Sequence, residues 1–183
     1  QEFQTIFLAT QHDATVDEPS ADQIYKTGTL GRILQAQRQE NGQIKVVVEG
    51  RDRGESVRIE QDEDGMFYAH VRKIQSVDES GFRTDGLLQK IHTLVEQFLR
   101  VSPDAYTDAL HASLRGISAG QISDAMSSHL RISVEEKQDL LETFSVQERL
   151  QKLADILETE IEKRQLDRTI HSRTKKQMDK HQR

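Results

Sequence analysis

The hydrophobic period of this chain changes once, near residue 80, and that single change does most to limit what the chain can fold into. Before it, apolar and polar residues alternate: Val57 and Ile59 stand among charged neighbours, and Phe67, Ala69 and Val71 skip along MFYAHVRKIQ. Period 2 is the pattern of strands with one face buried and one face wet. After the small and charged stretch SVDESGFRTDG at 76–86, Leu87, Leu88, Ile91, Leu94, Val95 and Phe98 fall at helical spacing. Strands gathered in one half and helices in the other define an α+β chain.

Turn chemistry divides the first half into an antiparallel meander of four or five strands. IFLAT at 6–10 is followed by a polar loop containing Asp13, Asp17, Pro19 and Ser20. TGTLGRILQAQRQ (27–39) and QIKVVVEG (43–50) flank Asn41-Gly42, which predicts a two-residue type I′ hairpin turn because both residues tolerate positive φ. GESVRIEQ and MFYAHVRKIQ flank DEDG at 62–65, a second turn ending in Gly65. Each strand is expected to bury one of its faces.

In the second half, Thr84 or Asp85 is the expected N-cap of the first helix, Ser102-Pro103 opens another, and Gly116 closes that one. Ser118 with Gln121, Ser133 with Glu136 and Ser145 with Glu148 repeat the capping-box spacing and mark three more helix starts. The last of these helices carries a broad apolar face of Leu150, Leu153, Ile156, Leu157 and Ile161, then only Leu166, Ile170 and Met178. Nothing terminates it over roughly 35 residues, near 50 Å at 1.5 Å per residue. It is expected to project from the body. The implied domains are a β-domain at 1–78, a helical bundle at 79–145 and a long coiled-coil-like arm at 146–183.

Charge follows the same division. From Lys163 onward eight Lys or Arg oppose Asp167 and Asp179, a net +6, so the remainder carries −12 of the overall −6. The arm therefore faces something different from what the body faces; nucleic acid, an acidic partner and plain solvent are the alternatives. No Phe, Tyr or Trp follows Phe144, so base stacking on the arm has no residue to serve it.

Cysteine is absent, which excludes disulfides, thiolate metal sites and a cysteine nucleophile. The longest apolar runs, IFLA and VVV, are far short of the roughly 20 residues of a membrane helix, and QEFQTIFLAT lacks the basic region of a secretory signal. The chain also starts without methionine, so its natural beginning is expected upstream. There is no phosphate-binding G-x-x-x-x-G-K-[ST] loop. The histidines at 12, 70, 92, 111, 129, 171 and 181 form no H-x-x-x-H pair. Ser172 with Lys175 and Lys176 has the elements of a Ser-Lys dyad, but lysines on an exposed helix stay protonated. Glu49, Asp52, Glu55 and the acids at 62–64 could supply paired carboxylates, and turn chemistry and solubility account for them better. No catalytic, cofactor-binding or metal-binding residue is therefore expected.

Three stretches in order carry a family resemblance: IFLATQHDATVDEPSADQIYKTGTLGRILQ, then NGQIKVVVEGRDR, then FSVQERLQKLADILETEIE leading to SRTKKQMDKHQR. Together they resemble the N-terminal region of the Lon family of ATP-dependent serine proteases, with its Asp-Glu-Pro loop, its Val-Glu-Gly-x-x-Arg segment and its Val-x-x-Arg-Leu helix running into Lys-Lys-Gln-Met. The family carries an upstream strand, a Phe-Val-Gly-Arg-like segment and a helix before IFLAT, so the resemblance implies a PUA-like antiparallel β-domain incomplete at its start. It further implies a helical bundle and a long helix leading to ATPase and Ser-Lys protease modules beyond Arg183.

By the same resemblance the expected role is noncatalytic recognition of unfolded or damaged proteins, hexamer assembly and coupling to the ATPase, in the cytoplasm of a bacterium rather than a mitochondrial matrix. ATP and Mg belong to the parent protein. Leu166, Ile170, Met178, Lys175 and Lys176 are the candidate assembly residues of the arm. The rival reading is a freestanding PUA-like nucleic-acid module with a basic arm, and no membrane partner is expected.

Overall fold

A computed structural model of the chain describes residues 5–77, 81–102, 110 and 114–181. It divides into two compact units, Gln1–Ser76 and Val77–Arg183.

The first unit is a four-stranded sheet in the order β1-β2-β3-β4, with β1 at Thr5–Leu8, β2 at Thr27–Arg38, β3 at Ile44–Gln61 and β4 at Phe67–Ile74. All neighbours are antiparallel, with Phe7 opposite Leu30, Gly28 opposite Gly54 and Ile59 opposite Ala69. A 3-10 turn at Ala21–Gln23, capped by Ser20, lies in the β1–β2 loop. The segments 43–50 and 54–61, read as two strands, are one 18-residue strand that passes from β2 to β4 as it runs. Its glycines mark close approach instead of a break. A Cβ on Gly54 would lie 2.5 Å from Val71 Cγ1, and one on Gly50 would lie 3.2 Å from Thr29 Cγ2.

The hairpin at Asn41-Gly42 forms, but not as a type I′ turn. Only Gly42 takes positive φ (+83°), no described residue other than glycine does, and Gly42 N–H donates to Gln39 C=O while Gln39 N–H donates to Gln43 C=O. This is a three-residue loop with glycine in the left-handed position. Asn41 contributes through its side chain, whose Oδ1 accepts from Gln43 N–H at 3.0 Å, so it has no need of the left-handed backbone. The second turn repeats the design, with Gly65 at φ +81° and Asp62 Oδ1 accepting from Asp64 and Met66 N–H.

The second unit contains α1 at Phe82–Val101, α2 at Ala119–His129, α3 at Val134–Glu142 and α4 at Val146–His181. The helix expected from Pro103 falls largely outside the described residues; Leu110 is helical and buried, and Gly116 takes φ +71° after it. Two capping boxes close as the spacing predicts, at Ser118–Gln121 and Ser133–Glu136, and Ser145 Oγ accepts from Glu148 N–H. The start of α1 differs from expectation. The helix opens at Phe82, and the Thr84 hydroxyl, buried, faces Gln147 Nε2 of α4 at 3.4 Å instead of capping α1.

α1 and α4 run parallel. Thr84 meets Gln147, Lys90 meets Glu158 at 2.8 Å, and Ser102 Oγ accepts from Arg164 at 2.8 Å. Between them lies the core: Ile91, Leu94, Val95 and Phe98 of α1 against Leu150, Leu153, Leu157 and Ile161 of α4, with Ile122 and Met126 of α2. Arg164 stacks over the Phe98 ring at 4.5 Å and ends the seam.

Candidate functional site

The apolar residues of the sheet are not covered as their alternation predicts. In the first unit the buried side chains among the described residues are Thr27 and Ser56, and no large apolar one joins them. Period 2 fixes which side chains share a face and says nothing of what lies over that face. Leu8, Leu34, Ile44, Val46, Val47, Val57, Met66, Phe67 and Tyr68 are all exposed.

Part of this surface is concave. A cleft of about 760 Å³ is lined by Ile6 and Phe7 of β1, Ile24 of the loop, Ile59 of β3, and Met66, Phe67 and Tyr68 at the start of β4. β1 and β4 are the outer strands of the sheet, so the cleft brings the two ends of the meander to one apolar hollow. Glycine makes the β1 wall possible: a Cβ on Gly28 would strike the Leu8 carbonyl oxygen and come within 2.7 Å of Phe7 Cζ. A concavity whose lining side chains are mainly apolar suits the burial of apolar side chains from another molecule.

The carboxylates of β3 and of the β1–β2 loop have structural partners. Glu49 Oε2 accepts from Arg51 at 2.8 Å, Asp52 pairs with Lys73 at 2.8 Å, and Glu55 pairs with Arg72. The Arg51 guanidinium beside Glu49 holds its carboxyl below the usual range. In the β1–β2 loop the Thr15 hydroxyl and amide do the same for Asp13, and the Ser20 hydroxyl for Asp22. No group of three or more His, Asp or Glu among the described residues could hold a metal ion.

The sequence-predicted arm residues lie on the last part of α4, where every described side chain from Gln165 onward is exposed. Leu166, Ile170 and Met178 are 60%, 52% and 61% exposed, and Lys175 is also exposed; the Lys176 side chain lies outside the described residues. At 100° per residue Leu166 stands about 180° around the helix from Leu157, and Ile170 about 180° from Ile161. The apolar pair therefore lies opposite the packed face. Met178 is turned about 80° further from Ile170. Ser172 and Lys175 do not form a dyad: Ser172 Oγ donates to Thr169 C=O at 3.0 Å. No described helix is long and apolar enough to cross a membrane.

Sequence reasoning passed over Arg149. It is 1% exposed, its Nε donates to Ser123 Oγ at 2.8 Å, and its guanidinium donates to Thr143 C=O at 2.7 Å. Only the Val-x-x-Arg-Leu pattern could have pointed to it, since an arginine between two apolar helix positions otherwise suggests a solvated face.

A family model for the ATP-dependent protease La (LON) substrate-binding domain matches residues 1–159. A Lon protease of Solibacter usitatus (strain Ellin6076) is 42% identical over 177 residues, covering 97% of this chain and 22% of that protein. A Lon protease of Brevibacillus choshinensis is 34% identical over 177 residues, with coverages of 97% and 23%. The chain thus spans less than a quarter of the length of these curated relatives. Among solved structures, the N-terminal domain of a Mycobacterium avium complex Lon protease superposes with a TM-score of 0.61 at 18% identity, covering 85% of this chain and 90% of that one, a likeness of fold. With the model spanning the whole sheet and most of the helical unit, the chain belongs to the family of the ATP-dependent protease La (LON) substrate-binding domain.

Proposed function

We propose that the chain is the noncatalytic substrate-recognition region of a Lon-like ATP-dependent protease of the bacterial cytoplasm, and that its sheet engages unfolded or damaged proteins through exposed apolar residues. The observation that carries this reading is the cleft lined by half-buried Phe7 and Ile59 and exposed Met66, Phe67 and Tyr68, in a unit where no described large apolar residue is fully buried. Unfolded chains differ from folded ones chiefly in presenting apolar segments, so a hollow of this chemistry discriminates between them without reading a sequence. The helical unit, with α4 and its opposite-facing Leu166 and Ile170, supports hexamer assembly and coupling to the motor, with Met178, Lys175 and Lys176 further along the same arm. ATP and Mg act in the parent protein's other modules.

Fluorescence anisotropy with labelled, reduced and carboxymethylated lactalbumin against native lactalbumin tests the recognition step. The unfolded form binds and the native form does not, and the Met66→Asp, Tyr68→Asp double variant binds at least about tenfold more weakly, since each lost apolar contact is worth about 1.5 kcal/mol or more. Equal binding of both forms, or a double variant that binds normally, refutes the reading.

A further inference from the structure

Residues 44–52 of β3 pair with β2 alone, because β4 joins β3 only from Arg53 onward. The other edge of this segment meets no strand among the described residues. It is also a run of β-branched residues, Ile44, Val46, Val47 and Val48, of which the first three are exposed. An open edge of this kind is a template for one more strand.

Hydrogen-bond parity determines which groups point outward. Gln39 and Gln43 form a hydrogen-bonded pair, with Gln39 N–H donating to Gln43 C=O at 2.7 Å. Antiparallel alternation then turns the N–H and C=O of Ile44 and Val46 away from β2. The register shift between Ile33 and Gln35 places its extra residue on β2, so the parity on β3 runs on to Val48 and Gly50. A strand added here must match outward residues with outward residues.

We propose that this edge is a homotypic interface, where a second copy of the chain lays its own Ile44–Gly50 antiparallel against the first about a two-fold axis at Val47. The charges select both partner and register. Centred on Val47, the pairing sets Lys45 opposite Glu49 twice, Val46 opposite Val48 twice, and Val47 against itself. Centred on Val48, it would oppose Lys45 to Arg51 and Ile44 to Asp52. Centred on Val46, it would set Lys45 against Val47. Only the Val47 register joins opposite charges, at non-hydrogen-bonded positions where side chains approach most closely. The contact is isologous, so it closes at two copies instead of growing into a fibre. About seven residues per strand fall below the area of a stable standing interface, so the isolated chain associates weakly, with Kd in about the upper micromolar range. Substrate recognition plays no part in this argument, and the two can fail separately.

Sedimentation equilibrium of the 183-residue chain over a concentration series tests it, with Lys45→Glu, Glu49→Lys and the double exchange. Both side chains are exposed, and the Glu49–Arg51 pair that two of the variants break is a surface pair worth little to the fold. The parent mass rises towards that of a dimer, each single variant associates at least about tenfold more weakly, and the double exchange returns to within about threefold of the parent. The two single variants mixed together associate more tightly than either does alone, because each supplies the charge the other has lost. A parent that stays monomeric into the millimolar range, single variants that match it, or a mixture that associates no more tightly than its components overturns the proposal. Amide exchange gives a second reading: protection of Val46 and Val48 rises with protein concentration. Protection that appears only on adding unfolded lactalbumin assigns the edge to a client chain and overturns the self-pairing.

Discussion

Replacing Arg149 removes a cation that the helical unit has enclosed. Its guanidinium supplies hydrogen bonds to Ser123 Oγ, in a side chain with no exposure, and to the Thr143 carbonyl just before α4 begins. Arg149→Ala deprives both acceptors of these donors and opens a void. A buried acceptor left without a partner costs about 1–3 kcal/mol, and the void adds about 1–2 kcal/mol. Relief from enclosing a charge offsets part of this, which leaves a net loss of about 3 kcal/mol. Arg149→Met refills the volume but supplies no donor, so its loss is smaller, about 2 kcal/mol. Urea unfolding followed by circular dichroism at 222 nm, where helix dominates, reads the difference as a midpoint lowered by about 2 M for the alanine variant. A double-mutant cycle with Ser123→Ala returns a coupling of about 1 kcal/mol. If Arg149→Met is neutral or stabilising, the arginine is a burden the core tolerates, and its proposed role in tying α2 and the α3–α4 connection to α4 is refuted.

Two further outcomes follow from the sheet. Gly28→Ala forces a Cβ against the Leu8 carbonyl and the Phe7 ring, so β1 separates from β2; amide exchange across Thr5–Leu8 accelerates at least tenfold, and unchanged protection there would show that the sheet accommodates the Cβ without parting the strands. Asp13 titrates below the usual carboxylate range because Thr15 bonds its ionised form, so its contribution to loop stability is present above the unfolded value and is lost as pH falls through the lowered one. Thr15→Val removes the hydroxyl donor, keeps the amide donor and moves that titration upward in an NMR pH series; an unmoved titration would remove the Thr15 hydroxyl as the main cause.

The turns and caps were legible because each is written within a few adjacent residues. Gly42, Gly65, Ser118 with Gln121 and Ser133 with Glu136 need no distant partner to declare themselves. The change of period likewise separated strands from helices, and the solved relative supports the α+β architecture. What stayed hidden depends on residues far apart in sequence. Gly50 and Gly54 punctuate the sequence like a break, and only the nearness of Thr29 and Val71 shows why one strand runs through them. Thr84 has the chemistry of a cap, and Gln147 takes it instead. The cleft was invisible for a simpler reason: alternation identifies a face, and whether anything covers it is a property of the whole sheet.

The last part of α4 has a mechanical consequence. As far as Arg164 the helix is splinted by α1, clamped at Phe98 and Ser102; beyond it about 25 Å of uninterrupted helix continues without a packed flank. A rod held at one end is a cantilever, so a tilt of about 5° at the clamp carries the far end through about 2 Å. Whatever grips that end either drives the bundle through a long lever or senses its small rotations enlarged, and the Arg164 clamp sets where the pivot lies.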